Sequence, residues 1–147
     1  MIAQPAQAPT APEPFTRFEV HPPLVERGKK GARLARTDIL SVTVQSINQG
    51  GETNLHAHMD QDAAWLVLNG QAKFYTEGDS EVATLNRYEG LVIPRGTLYW
   101  FESSSDENLI ILRMAAKHPD LQPGRENRGE RVSREFTKIK EGEFFGL

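Results

Sequence analysis

Two histidines separated by one residue, His56 and His58, are the residues of this sequence best suited to chemistry. Side chains alternate between the two faces of an extended strand, so residues i and i+2 lie on the same face. Imidazole is the commonest protein ligand for metal ions, and its unperturbed pKa lies close to neutral pH. On a strand, the pair can therefore bind one metal ion or exchange a proton with a substrate.

The composition of the whole chain limits the kinds of site that can surround this pair. The sequence has 147 residues, a formal net charge of −3 and no cysteine. Without cysteine there are no disulfide bonds or thiolate zinc sites, so a metal must use histidine or oxygen ligands. The balanced charge argues against a nucleic-acid partner, since such proteins concentrate positive charge. The sequence has neither a secretory pattern nor a long apolar segment, so we expect a cytoplasmic protein without membrane contacts.

The histidine pair must be held by β-strands, because the middle of the chain consists of short segments rich in strand-forming residues. Around the pair, segments of alternating or apolar character are separated by turn residues. Asn69-Gly70 predicts a tight hairpin between two of them, since this dipeptide favours positive φ angles. The predicted strands are 39–47, 63–68, 71–76, 81–86, 90–93, 97–102 and 109–116. Strands of this number and spacing predict an all-β fold, either a sandwich or a barrel.

Three segments before this body have other patterns. Repeated prolines predict a flexible arm over residues 1–14, because proline prevents a helix or a central strand. Residues 15–20 favour a short strand that ends at two prolines. The cationic segment 26–36 is typical of a solvated loop, although its charge could also steer an anionic ligand.

The chain after the predicted strands changes to a polar tail. We therefore assign residues 15–116 to a single domain and residues 117–147 to the tail. The spacing of apolar residues predicts a short amphipathic helix over residues 131–140. Phe144 and Phe145 are costly to leave in water, so we expect the tail to pack on the domain or on a partner subunit.

Two motifs in the body resemble those of the cupin superfamily. The first comprises Gly50, the histidine pair and an apolar strand that ends at Gly70. The second runs from Gly90 to Phe101 and contains Pro94-Arg-Gly96. The resemblance covers the body but neither the arm nor the tail. It implies a small antiparallel jelly-roll β-barrel with the functional site inside its mouth.

The resemblance also implies a metal site of three histidines and one glutamate. His56 and His58 match two of these ligands, whereas Ala63 and Tyr99 stand at the glutamate position and the third-histidine position. Asp62 lies beside the glutamate position, and a bulge after the histidines would turn it inward. Otherwise it is a turn residue at the start of a strand. The candidate metal ligands are thus His56, His58 and Asp62, for a divalent iron, manganese, nickel or zinc ion.

Strand parity predicts the remaining walls of the cavity. Trp65 and Val67 should face inward from the strand after the first motif, and Phe101 should accompany Tyr99 on the strand of the second. Arg113 either binds a substrate carboxylate in a bidentate manner or faces solvent. Such a pocket suits a planar or apolar ligand or a sugar, but the same aromatic residues could also simply fill the core.

Two classes of function remain open at this point. In the first, a divalent metal on the histidine pair polarises an oxygen of a small substrate and supports oxygenase, isomerase or lyase chemistry. In the second, a metal-free barrel binds a sugar or effector as a regulatory module, or His56, His58 and Tyr99 transfer protons directly. The fold does not choose between them. In both cases we expect a small-molecule ligand and a homodimer.

Overall fold

The chain folds almost entirely as β-strands. The computed structural model describes residues 11–128 and 136–138, which contain eleven strands and one short 3₁₀ helix, Glu77–Asp79. The strands are β1 Lys29–Arg36, β2 Leu40–Ile47, β3 His56–His58, β4 Gln61–Asn69, β5 Ala72–Tyr75, β6 Glu81–Leu85, β7 Gly90–Ile93, β8 Trp100–Ser103, β9 Leu109–Lys117, β10 Arg125–Asn127 and β11 Phe136–Lys138. The predicted all-β class is therefore confirmed.

The described strands form three sheets in a jelly-roll arrangement. The main sheet has six strands in the order β11-β1-β2-β9-β4-β7, and the small sheet has three in the order β6-β5-β8. A third sheet pairs β10 with β3. Every pairing is antiparallel except that of β1 with β11. The main and small sheets pack against each other, since one buried apolar cluster draws its side chains from both.

Alternating side chains on β2 and β9 separate the two faces of the main sheet. Val42 and Val44 of β2 join an outer apolar cluster. Thr43 and Gln45 face the opposite way, into the space between the sheets. Arg113 of β9 pairs with Thr43 and shares that inner face. The inner face is therefore apolar at one end and polar at the other, where the functional cavity lies.

The predicted hairpin at Asn69-Gly70 is wrong, because the two strands it joins belong to different sheets. β4 pairs with β7 and β9, whereas β5 pairs with β6 and β8. The turn itself is present: Gly70 has φ +78°, and an added Cβ there would lie 2.8 Å from the carbonyl oxygen of Asn108. The Asn69 side-chain amide donates to the same oxygen at 2.9 Å. The turn thus carries the chain from one sheet to the other.

The segments before β2 also differ from the predictions. Most of the expected loop at 26–36 is strand β1, on which Ala32 and Leu34 are buried despite the surrounding cations. Residues 15–20, expected as a strand, have no regular secondary structure. Strand β11 occupies one edge of β1. Residues 15–20 therefore cannot pair with β1 along that edge.

Two short strands of the predicted tail return to the sheets. β10 pairs with the histidine strand β3, and β11 lies parallel to β1. The expected helix over 131–140 is therefore wrong at Phe136–Lys138, where pairing with a strand outweighs the weak stability of a short isolated helix. The other residues of that helix, together with Phe144, Phe145 and residues 1–10, lie outside the described residues. Over the described ranges, no helix is long and apolar enough to cross a membrane.

Candidate functional site

The histidine strand β3 is held from both sides. The backbone N–H of His56 donates to the carbonyl of Tyr99 at 3.1 Å, and the N–H of Tyr99 returns a bond of 2.9 Å. On the other side, His56 is in register with Asn127, and His58 with Arg125. This pairing keeps residues 56–58 extended, so both imidazoles project into one cavity, as the spacing predicts.

That cavity has a volume of about 220 Å³ and lies between the inner face of the main sheet and β3. Both of its walls mix polar and aromatic groups. The residues that line it are Lys29, Thr43, Gln45, Thr53, Asn54, His56, His58, Trp65, Tyr99, Phe101, Arg113 and Arg125. It is smaller than a typical drug-sized site, which indicates a ligand of few atoms.

Three rings converge on one wall of this cavity. The ring centroids of His56 and His58 are 5.1 Å apart in an edge-to-face arrangement. Tyr99 lies 4.4 Å from His56 and 6.4 Å from His58. Behind it, Trp65 and Phe101 pack with centroids 4.9 Å apart. The predicted cavity residues Trp65 and Phe101 thus line the cavity and also contribute to the core beneath it.

Both histidines are neutral at physiological pH. Burial lowers the pKa of His56 to about 4, with further lowering by Arg125 and partial opposition from its hydrogen bond to Asn54. Burial likewise lowers the pKa of His58 to about 4, followed by the fields of Arg113 and Arg125. Nδ1 of His56 lies 2.6 Å from the Asn54 carbonyl, which can only accept. We therefore assign the proton to Nδ1, which leaves the Nε2 lone pair free for another partner.

Tyr99 is a protonated phenol. Burial raises its pKa, and the nearby cations Arg113 and Arg125 only partly oppose this effect. The Trp65 N–H is near enough to favour the phenolate, but it does not reach the geometry of a hydrogen bond. Tyr99 therefore serves as a neutral hydrogen-bond donor at the centre of the site.

Cations from three separate strands reach the cavity: Lys29, Arg113 and Arg125. The Arg113 guanidinium donates to the Gln61 amide oxygen at 2.9 Å and lies 5.6 Å from the centre of the Trp65 ring. Arg125 is at the rim and donates to the Asn54 side-chain oxygen at 2.7 Å. Of the described residues that line the cavity, none is an aspartate or a glutamate.

Sequence reasoning missed several of these groups. Strand alternation could have identified Thr43 and Gln45, because their side chains alternate along β2 with those of Val42 and Val44. Lys29 and Arg125 lie far from the motifs in sequence and are brought in by the pairing of β1 with β2 and of β10 with β3. No local pattern marks Arg125, whereas Lys29 belongs to the cationic segment 26–36.

Two residues predicted for the site, Asp62 and Val67, do not reach it, and neither does Glu52, the acidic residue shortly before the histidines. Asp62 is exposed, and its carboxylate accepts a 2.8 Å bond from the backbone N–H of Arg95, so the expected inward turn does not occur. Regular β4 parity puts it on the face opposite Ala63 and Trp65. Val67 is fully buried in the apolar core and does not line the cavity. Glu52 accepts a 3.2 Å bond from the backbone of Gly50 instead.

The side chains present give an incomplete set of metal ligands. Two imidazoles and a protonated phenol meet here, and over residues 11–128 no group of three or more His, Cys, Asp or Glu side chains could hold an ion. Protein metal sites normally supply three or four ligands. The positive charges of Arg113 and Arg125, which lower the pKa of both histidines, would also repel a cation. These donors do not fit a metal site of the kind that the motif implies.

Comparison with known proteins identifies the fold but no family. No protein-family model and no curated protein sequence matches the chain. Solved structures do match: a conserved protein with a double-stranded β-helix domain from Klebsiella pneumoniae superposes with a TM-score of 0.62 at 16% identity, over 75% of this chain and 92% of that one. An RmlC-like cupin protein from Desulfovibrio desulfuricans gives a TM-score of 0.55 at 17% identity, over 76% and 97% of the two chains.

The chain adopts the cupin fold. A third cupin-like neighbour, KdgF from Halomonas sp., has a TM-score of 0.56 and 20% identity over 65% of this chain and 86% of that one. Within the cupin fold, the motif positions that the resemblance assigned to metal ligands come together, since Ala63 and Tyr99 both lie beside His58 in a small adjoining pocket. Tyr99 therefore lines both the cavity and the adjoining pocket, whereas Ala63 lines only the adjoining pocket.

Proposed function

We propose that this cupin-fold protein binds a small organic anion inside its cavity. The observation that carries the proposal is the charge of the wall: Lys29, Arg113 and Arg125 face the cavity, and no carboxylate lines it among the described residues. The chain as a whole has a net charge of −3, so this positive charge is a local feature rather than a consequence of composition.

Arg113 is the best-placed group to bind the anion. Within the described residues, its neighbours are an amide oxygen, an indole ring and a phenol, and none of these groups carries a negative charge. A guanidinium presents paired N–H groups that match the two oxygens of a carboxylate. Because Arg113 is half-buried and away from bulk water, its ion pair with a carboxylate is stronger than a surface salt bridge.

Binding is better supported than proton transfer. A general base works best when its pKa is near the working pH, and a pKa of about 4 makes His56 and His58 weak bases. The raised pKa of Tyr99 makes it a weak acid. These groups instead suit neutral hydrogen bonds to a ligand, with Tyr99 donating and His56 Nε2 accepting.

The decisive experiment compares carboxylates with neutral analogues by isothermal titration calorimetry. We expect small carboxylates to bind and the corresponding amides not to bind. Arg113→Gln should weaken carboxylate binding at least about 30-fold, because truncating one partner of a buried charge pair costs roughly 2–5 kcal/mol. Arg113→Lys keeps the charge but not the paired donors, so its affinity for carboxylates should lie between those of the wild type and Arg113→Gln.

The matched control is Arg128→Gln. Arg128 is exposed, bonds to Glu126 and does not line the cavity, so its replacement should leave the affinity unchanged. Amides that bind as tightly as carboxylates, or an Arg113→Gln variant with full affinity, would contradict the proposal.

A divalent ion on His56 and His58 is the second candidate. It is favoured by two neutral imidazoles whose rings lie 5.1 Å apart on one wall. A bound anion would then have to supply the ligands that the described side chains lack. Elemental analysis of purified protein tests this: the wild type should retain more metal than a His56→Ala/His58→Ala variant, and equal metal content would reject it.

A further inference from the structure

Two buried polar atoms on the cavity wall lack a hydrogen-bond partner within the described part of the chain. They are the indole N–H of Trp65 and the side-chain carbonyl oxygen of Gln45. The Trp65 side chain belongs to a residue that is only 3% exposed, so water in the bulk does not satisfy it. Leaving a buried donor or acceptor unpaired costs about 1–3 kcal/mol, so such an atom on a cavity wall is suited to pair with a ligand or an ordered water.

The two atoms flank the guanidinium that binds the anion. Trp65 on β4 is directly opposite Arg113 on β9, so their side chains are nearest neighbours across the strands. On the other side of β9, Arg113 is opposite Thr43 of β2, and Gln45 is the next inward residue along β2. A hydrogen-bond donor and an acceptor therefore lie on either side of the positive charge.

The volume of the cavity limits the ligand. At about 30 Å³ for each water molecule, 220 Å³ corresponds to roughly seven waters. This space suits a chain of about four to six carbons with polar substituents.

We infer that the ligand is a polyhydroxy carboxylic acid of about four to six carbons, bound through its carboxylate at Arg113 and through hydroxyl groups at Trp65 and Gln45. The inference rests on the proposed anion site and adds the class of molecule to it. A hydroxyl group both donates and accepts, so it can receive the Trp65 N–H on one side and donate to the Gln45 oxygen on the other. An unsubstituted alkanoate would leave both protein atoms unpaired, which a site built for hydroxyl groups discriminates against.

Calorimetry with three probes of equal chain length tests the inference. The probes are D-erythronate, which has both features, butanoate, which has only the carboxylate, and erythritol, which has only hydroxyls. We expect erythronate to bind at least about 10-fold more tightly than butanoate, and erythritol to show no binding. Equal affinities of erythronate and butanoate would overturn the inference while leaving the anion site intact. Failure of both acids, or erythritol binding as well as erythronate, would overturn the proposed function itself.

Two conservative variants assign the hydroxyl contacts. Trp65→Phe removes the N–H but keeps an aromatic ring, and Gln45→Met removes the carbonyl with little change in volume. Each should lower the ratio of erythronate to butanoate affinity by about 3- to 10-fold, the value of one hydrogen bond. An unchanged ratio in both variants would contradict the assignment.

Matched controls separate this effect from a change in packing. Trp100 on β8 bonds to Asp79 outside the cavity, and Gln49 is exposed in a turn, so Trp100→Phe and Gln49→Met should leave the ratio unchanged. Gln45→Met should fold with an equal or higher melting temperature, because it removes an unpaired buried oxygen. A ratio that falls equally in the control variants would reject a specific role for Trp65 and Gln45.

Discussion

At the residue scale, the environment of the two histidines determines their chemistry more than their type does. The same His-x-His spacing can bind a metal ion when carboxylates lie beside it. Here the pair is buried and lies near two guanidinium groups. Both effects disfavour the imidazolium form. The pair is therefore neutral near pH 7 and lies beside the cationic side chains that line the cavity.

The lowered histidine pKa values predict a loss of stability in mild acid. The unfolded histidines take up protons near pH 6.5, whereas in the folded state they remain neutral down to about pH 4. The stabilisation is thus complete above pH 6.5 and is lost progressively as the pH falls from 6.5 to 4. Between pH 6.5 and 4.5 we expect His56 to contribute a loss of about 2 kcal/mol, and the half-buried His58 less.

Urea unfolding followed by tryptophan fluorescence at both pH values measures this loss. A His56→Gln/His58→Gln variant should have a flatter pH dependence than the wild type, because carboxylate protonation affects both proteins equally. Replacing the exposed His21 by Gln is the control and should leave the wild-type slope unchanged. Parallel curves for the wild type and the double variant would show that these histidines do not couple to folding.

At the element scale, the chain crosses between the main and small sheets several times from β4 to β9, and these crossings assemble the cavity. β4 brings Trp65 to the inner face of the main sheet, and the next strand β5 packs Phe74 from the small sheet against it. The turn at Gly70 makes this change of sheet possible. It requires a positive φ angle and a close approach to the backbone of Asn108.

Gly70→Ala should therefore destabilise the protein by about 2–4 kcal/mol. A left-handed backbone costs a residue with a Cβ roughly 1–2 kcal/mol, and the 2.8 Å contact with Asn108 adds the cost of overpacking. Gly124→Ala is the control, since the nearest atom to its Cβ is 3.6 Å away in a methionine side chain. Equal free energies of unfolding for the two variants would refute this account of the turn.

At the scale of the whole molecule, the charge of the cavity favours a small anionic ligand, and the exposed apolar side chains favour a protein partner. Three cationic side chains and, among the described residues, no carboxylate line the cavity, while the whole chain has a net charge of −3. Several large apolar side chains remain exposed on the single chain, among them Leu24 at 79%, Phe15 at 71% and Val92 at 68%. Where such side chains lie together, they can form a protein contact surface.

We propose that the protein is a homodimer in the cytoplasm. Sedimentation-velocity ultracentrifugation should show a species with twice the mass of one chain at micromolar concentration. A Phe15→Ser/Leu24→Ser variant should shift the equilibrium towards monomer without loss of ligand binding, because neither residue lines the cavity. A wild type that sediments as a monomer at every concentration would exclude the dimer. Cell fractionation tests the location.

The sequence by itself determined the all-β class, the cupin resemblance, the position of the histidine pair and the inward-facing aromatic residues Trp65 and Phe101. These follow from short-range rules: strand periodicity, turn chemistry and a motif whose residues are close in sequence. The errors began where local rules stop. The Asn69-Gly70 turn was predicted correctly as a turn, but not as the point where the chain changes sheet. Most of β1 was predicted as a loop because its segment is rich in cationic residues.

Only the tertiary structure decided the character of the site. It directed Asp62 to the backbone of Arg95, and it brought Lys29 and Arg125 to the histidines through pairings between strands distant in sequence. It also left the Trp65 N–H and the Gln45 oxygen buried without partners in the described chain. Charge, burial and unpaired polar atoms depend on neighbours contributed by the whole fold, and no local pattern carries that information.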